Sequence, residues 1–237
     1  MSIPKLISFV WIGPPMPDWA QDNIRLFREL NPDFAIQVCD ERALLSFLRP
    51  VYEQIEGEHL WSRRSDVLRI SVLLQFGGWY FDTDILPLRS LAEVYRDRGG
   101  FPRETYLVVG DTVALRHCFA TDEDAMRPWI ANGIIGTTSD SAFLSSVLRS
   151  ILMRNCENRR GWGDFGPAVF TEIIEHFPGI AHVGRCDDWF RLDSAADRRT
   201  AYKRIREAGY SAESIHTEFG DFLPYGFHHD MQDTLEL

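Results

Sequence analysis

The first apolar run, Leu6 to Ile12, reads Leu-Ile-Ser-Phe-Val-Trp-Ile and is stopped by Gly13-Pro14-Pro15. A nearly unbroken run of this length predicts a central strand buried on both faces, and the Gly-Pro-Pro stop prevents its extension. Ala20, Ile24, Phe27 and Leu30 then recur at helical spacing, Asn31-Pro32 breaks the helix, and Phe34 to Val38 predicts a second strand. Together these form a βαβ unit. Asp40 is placed to cap a further short helix running through Leu48. From Ser65 to Phe76, Val67, Leu68, Ser71, Val72 and Gln75 wrap a strongly apolar helix, with Gly77-Gly78 as its left-handed stop. Trp79-Tyr80-Phe81 follows as a short aromatic strand that delivers Asp82-Thr83-Asp84 at its C-terminal end.

Downstream, strands are expected at Thr105 to Val109, Asn132 to Thr137 and Ile180 to Val183, and helices at Ala142 to Arg154, Pro167 to Phe177 and Ala195 to Ala208. Strands alternate with helices throughout, which predicts an α/β fold with a mainly parallel, Rossmann-like sheet flanked by helices. Arg96 to Arg103 and Cys118 to Met126 read as the longest loops. No repeat, low-complexity tract or Gly/Ser linker marks a boundary, so a single domain spanning 1–237 is expected.

Composition narrows the class. A chain of 237 residues, 45% hydrophobic and 25% charged, has enough apolar side chains for its own core. The cysteines, Cys39, Cys118, Cys156 and Cys186, form no CxxC pair, which disfavours a zinc knuckle or disulfide framework and makes a reducing cytoplasm the expected location. Lys and Arg number 25 against 35 Asp and Glu, a net charge of −10, so a general polyanion-binding surface is disfavoured. No apolar stretch approaches the roughly 18 residues a membrane helix needs, and the N-terminus lacks a signal-peptide pattern.

Four constellations carry chemistry. Asp82 and Asp84 lie where an apolar strand ends, the position at which open α/β sheets bind ligands. Two carboxylates this close need water, a cation or polar partners, and a hard divalent cation bound to a diphosphate meets that need. A bare DxD is more often a plain polar turn; the preceding Gly-Gly and aromatic strand give this one its weight. Asp66 and Arg69, three apart on a helix, can pair with each other or together grip a polyhydroxylated ligand. Trp11 ends the first strand and can stack on a flat base while Gly13 lets a ligand approach the backbone; the alternative is a core tryptophan. Finally, Tyr225 to Asp230 contains His228 and His229, either of which could return as a metal ligand.

Two further patterns are weighed. Gly161-Trp162-Gly163-Asp164-Phe165-Gly166 matches GxGxxG ahead of a helix, but the polar Arg154 to Arg160 before it is no strand. A flexible glycine loop, able to cover a ligand, is expected rather than a dinucleotide fingerprint. Arg198, Arg199, Lys203, Arg204 and Arg206 cluster on one helix and read as a solvated face or a site for an anionic acceptor.

The order Ile3-Pro4-Lys5, Phe9-Val10-Trp11-Ile12-Gly13, Ser65-Asp66-Val67-Leu68-Arg69 and Gly77-Gly78-Trp79-Tyr80-Phe81-Asp82-Thr83-Asp84 resembles the glycosyltransferases with a DXD sugar-binding region. These include capsular polysaccharide sugar transferases, fungal initiating mannosyltransferases and the large clostridial-type glucosylating toxins. The likeness covers about the first 90 residues. It implies a GT-A fold, a nucleotide-sugar donor, a Mn²⁺ or Mg²⁺ cofactor and transfer with retention. By the same resemblance, Trp11, flanked by Ile12 and Gly13, meets the base; Asp66 and Arg69 hold the donor sugar; Asp82 contacts ribose and sugar hydroxyls; and Asp84 binds the metal. Asn132 falls near the donor sugar, and His228 is the tail residue matching a further metal ligand. About 1–90 would then bind donor and metal, with about 91–237 forming the acceptor side and tail.

The implied enzyme moves a hexose from a donor, a UDP-sugar by preference, to a hydroxyl of a glycan or glycolipid. No carboxylate stands out as a nucleophile, so front-face substitution is expected over double displacement. A nucleic-acid base or a protein side chain remains open as acceptor, and an inactive nucleotide-sugar-binding module is the non-enzymatic alternative. Retention of Asp66, Arg69, Asp82 and Asp84 together favours catalysis.

Overall fold

The computed structural model describes residues 3–55, 61–87, 89–93, 105–109, 130–156, 164–184, 204, 207–209, 211 and 226–228. The chain divides into two compact units. The first comprises residues 1–14, 37–81 and 101–184, and the second 15–36, 82–100 and 185–237.

The first unit is built on a six-stranded sheet of order β2-β1-β3-β6-β5-β7. Its strands are β1 (Leu6–Val10), β2 (Ala35–Cys39), β3 (Gly78–Phe81), β5 (Thr105–Val109), β6 (Ile130–Thr137) and β7 (His182–Gly184). β1 and β3 pair in parallel, Ile7 opposite Trp79, and β5 and β7 pair in parallel, Leu107 opposite Val183. β6 runs against both of its neighbours, so the sheet is mixed. The expected α/β sheet flanked by helices is borne out, with β6 as the departure.

β3 sits centrally, and its Trp79, Tyr80 and Phe81 are all almost completely buried, which accounts for its aromatic composition. Each such side chain contributes roughly 1.5–3 kcal/mol by leaving water. Helix α3 (Trp61–Phe76) begins four residues ahead of the expected start and packs on β1 and β3. From Val67 to Leu73 every residue is buried, so the helix has no solvated face over that stretch. Gly77 (φ 61°) ends it in the left-handed region. The single helix expected after Asp40 is instead two short 3₁₀ turns, Glu41–Ala43 and Ser46–Leu48, followed by α2 (Arg49–Glu53). Asp40 does cap the first, accepting from Arg42 N at 2.9 Å. Ser71 Oγ of α3 donates to Ala43 O and accepts from Leu45 N, both at 2.7 Å, which fixes these turns against the helix.

Helices α4 (Ala142–Cys156) and α5 (Pro167–His176) pack on each other, and α5 also packs on β6. Phe143 meets Phe170 edge-on between them, with ring centres 5.1 Å apart. Val10, Leu68, Tyr80, Ile135, Phe143, Phe165 and Val169 belong to one continuous core.

In the second unit, helix α1 (Asp18–Leu30) buries Ala20, Ile24, Leu26 and Phe27 and packs on β4 (Ile85–Pro87). β4 pairs antiparallel with β8 (Gly226–His228), placing Ile85 opposite His228. Neither short strand is evident in the sequence pattern. The loops expected at 96–103 and 118–126, most of the helix expected at 195–208, and His229 and Asp230 lie outside the described residues. Among the described residues no helix is long and apolar enough to cross a membrane.

Candidate active site

Helix α3 carries Asp66 on a buried face, and β6 brings Asn132 to it. Asn132 Nδ2 donates to Asp66 Oδ1 at 2.6 Å. Arg69 lies 3.2 Å from the same oxygen, and its Nη1 donates to the Asn132 carbonyl at 2.5 Å. The guanidinium also reaches Ser65 Oγ at 3.3 Å and lies 4.6 Å from the centre of the Tyr80 ring. Side-chain exposure is 6% for Arg69 and 9% for Asp66, so the ion pair that reads as a possible surface pair is a buried one. In that setting the charges need the further bonds they make here. Three residues named from the sequence, Asp66, Arg69 and Asn132, are therefore brought together.

Trp11 is partly exposed rather than core. Its backbone N–H bonds Cys39 O at 3.0 Å and its indole Nε1 bonds Pro14 O at 2.7 Å, so the ring is oriented by the Gly-Pro-Pro turn. Gly13 has φ 91°, and a Cβ there would approach the Trp61 ring to 3.1 Å. Trp61, the first residue of α3, is thus a second partly exposed tryptophan beside the end of β1. Ile12 packs against the core.

Asp82, Thr83 and Asp84 form a half-buried turn directly after Phe81, closed by Ile85 N bonding Asp82 O at 3.2 Å. Asn23, fully buried in α1, donates from Nδ2 to Thr83 O at 2.8 Å and so grips the middle of this turn. Asn31, at the end of α1, accepts from Leu91 N at 2.7 Å and ties down the chain beyond β4. The β4–β8 register sets His228 opposite the residue that follows Asp84. Among the described residues no three His, Cys, Asp or Glu side chains form a ready-made metal cluster. Two half-buried carboxylates two residues apart nonetheless offer the hard oxygen donors that Mn²⁺ or Mg²⁺ takes, so the residues fit such an ion.

Residues 17–100 match the family model for the glycosyltransferase sugar-binding region containing the DXD motif. That stretch of the chain is thus similar to the sugar-binding region. The match includes Asp66, Arg69, Asp82 and Asp84, while Trp11 and Asn132 lie outside it. Among solved structures, the chain resembles the PaToxG glycosyltransferase at 17% identity and TM-score 0.57, over 92% of this chain and 79% of that one. Mouse xyloside xylosyltransferase 1 matches at 15% identity and TM-score 0.55, over 97% and 98%. The galactosyltransferase LgtC, solved with donor and acceptor sugar analogs, matches at 11% identity and TM-score 0.51, over 95% and 87%. At these identities the likeness shows the fold, and it is the glycosyltransferase-type fold that the sugar-binding region implies. No curated protein matches the chain.

Sequence reasoning missed Asn23, Trp61 and Gly166. Asn23 had a signal: it is an amide inside the apolar stripe formed by Ala20, Ile24 and Phe27, where a polar side chain must find a partner. Arg154 to Cys156, ahead of the GxGxxG stretch, are the end of helix α4, and 157–160 lie outside the described residues. The part of the stretch at 161–163 lies outside them as well. Asp164 to Gly166, expected in an open glycine loop, instead form a turn in which Phe165 is fully buried.

Proposed function

We propose that the protein is a metal-dependent glycosyltransferase that moves a hexose from a nucleotide-sugar donor, a UDP-sugar, to a hydroxyl of a glycan or glycolipid, with retention. The observation that carries this reading is the buried Asp66–Arg69–Asn132 network inside a fold whose matched region also holds the Asp82–Asp84 turn. A carboxylate fixed by two protein donors is set to accept from sugar hydroxyls. Arg69 commits its guanidinium to Asn132 O, Ser65 and Asp66, so its role is to hold Asp66 and Asn132 in register against the sugar. Trp11, with Ile12 and Gly13 beside it, meets the base through stacking.

Asp84, with Asp82 beside it and His228 as a further candidate, would hold Mn²⁺ or Mg²⁺, which would supply charge neutralisation for the leaving diphosphate. The bond from the anomeric carbon to the diphosphate oxygen breaks while the bond to the acceptor oxygen forms on the same face. The acceptor proton passes to the leaving diphosphate, so no enzyme nucleophile is required. Asp66 and Asn132 contribute by fixing the sugar for this attack. A sugar hydroxyl as acceptor accords with the xyloside and the acceptor sugar analog named for two of the structural neighbours.

The test is calorimetric titration with UDP-, GDP- and other nucleotide sugars, with and without Mn²⁺. Metal-dependent binding of one donor, followed by its transfer to an acceptor glycan, is the expected result. Metal-independent binding, or hydrolysis with no transfer to any acceptor, would contradict the proposal.

A further inference from the structure

Three consecutive residues ahead of α5 are each anchored to a different partner. Asp164 pairs at 3.5 Å with Arg154, a buried residue of α4 that also bonds Glu172 of α5. Phe165, fully buried, lies under Arg63 of α3, whose guanidinium carbon is 5.2 Å from the ring centre. Gly166, the N-cap of α5, abuts the sugar-binding pair itself: a Cβ there would collide with Asn132 Nδ2 and come within 2.8 Å of Asp66 Oδ2. Arg63 precedes Asp66 by three residues on α3, so the Phe165 anchor and the Gly166 contact fall on neighbouring positions of one helix face.

We infer that the Asp164-Phe165-Gly166 turn is the positioning element of the donor-sugar site, with Gly166 the residue that keeps Asp66 and Asn132 bonded in the orientation that receives the sugar. This rests on the proposed role of Asp66 and Asn132 in holding that sugar. Buried polar pairs tolerate little displacement, because a separated amide and carboxylate are left without solvent to replace their bond. A methyl group at residue 166 must therefore push Asn132 off Asp66 or withdraw the start of α5. Arg154 resists the withdrawal by holding Asp164 and Glu172 together. The positioning acts on the sugar and leaves the nucleotide subsite at Trp11 untouched.

The test compares binding of UDP-hexose and of UDP alone, both with Mn²⁺, in the wild type, Gly166→Ala, Asp66→Asn and Asn132→Ala. Gly166→Ala should weaken UDP-hexose by about tenfold or more while UDP stays within about twofold, since one buried hydrogen bond is disrupted. In the Asn132→Ala background the same change should lose part of its effect, the remainder coming from the approach to Asp66 Oδ2, and that partial loss is the signature of direct coupling. Equal loss of UDP and UDP-hexose, or an undiminished effect without Asn132, would overturn the inference. If Asp66→Asn abolishes the sugar-dependent affinity and Gly166→Ala leaves it intact, only the inference fails; if Asp66→Asn binds as the wild type, the sugar-holding role fails and the inference with it. Should Gly166→Ala not fold, Arg154→Lys must show the same selective loss of UDP-hexose, because an ammonium keeps the charge but lacks the fork that holds two carboxylates. Wild-type selectivity in Arg154→Lys then overturns the inference.

Discussion

The two acidic sites of this chain solve the same electrostatic problem in opposite ways. Asp66 is buried, and its charge is met by Arg69 and Asn132 from its own unit. Asp82 and Asp84 lie in a half-buried turn whose backbone Asn23 grips at the carbonyl between them. A buried charge must be satisfied by the protein before any ligand arrives, so the first site is inseparable from the fold. The turn keeps part of its surface in water, but Asp84 Oδ1 is itself buried, so a cation there would meet a charge that solvent meets only in part.

That contrast is broken most directly at Asp84. Asp84→Asn should lower transfer by about 10³-fold or more, in keeping with loss of a principal electrostatic contribution to the leaving group. Its melting temperature should stay within about 2 °C of the wild type, since Asn keeps the shape of Asp in this half-buried turn and removes a charge rather than packing. A radiochemical transfer assay and a thermal melt measure the two arms, and a large drop in melting temperature would erase the distinction.

Arg69→Met supplies the opposite case. Leaving Asp66 buried without its cation should cost about 3–5 kcal/mol of unfolding free energy along with activity. Urea unfolding followed by tryptophan fluorescence reads this; a variant as stable as the wild type would show that the buried network is not structural.

Asn23→Ala should fall between them. The Thr83 carbonyl loses its donor, a cost of about 1–3 kcal/mol, and the loosened turn should raise the Mn²⁺ concentration needed for half-maximal activity more than it lowers the rate at saturating Mn²⁺. A fall in rate with no change in metal dependence would place Asn23 outside the DXD turn's function.

The smallest effect is expected at Asp40, whose carboxyl Arg42 holds below its usual range through a side-chain hydrogen bond and a backbone N–H bond. Because the folded value is depressed, the stabilisation is present above the unfolded carboxyl range near about 3.9 and is lost as pH falls through the folded value. Asp40→Asn should therefore flatten the acid limb of the stability curve slightly while leaving activity at neutral pH unchanged. An acid limb identical to the wild type would remove Asp40 from the acid response.

Local pattern made much of this molecule legible. The apolar run at 6–12, the aromatic strand before Asp82 and the helical spacing through α1, α3, α4 and α5 all became the elements they predict, because burial on one or both faces dictates those periods. The motifs on α3 and after β3 were legible for the same reason, being encoded within a few residues of each other. β4 and β8 were not: three residues each, they form strands only by pairing with each other across the chain. The turn at 164–166 misled, because glycines signal conformational freedom locally whereas here Gly166 answers to the approach of Asn132 and Asp66 from elsewhere in the chain.

The sequence by itself determined the class of fold, the likeness of residues 17–100 to a sugar-binding region and the spacing of the acidic groups within it, since each is written in short-range spacing and residue type. Only the tertiary structure decided that Asp66 and Arg69 are buried together, that Asn132 completes them, and that Asn23 steadies the carboxylate turn. Those bonds span 60 or more residues of chain, the |i−j| separations being 66 for Asp66 to Asn132, 63 for Arg69 to Asn132 and 60 for Asn23 to Thr83. No local pattern encodes such contacts; they exist because packing the sheet and its helices removes water from those positions and obliges each polar group to find the others.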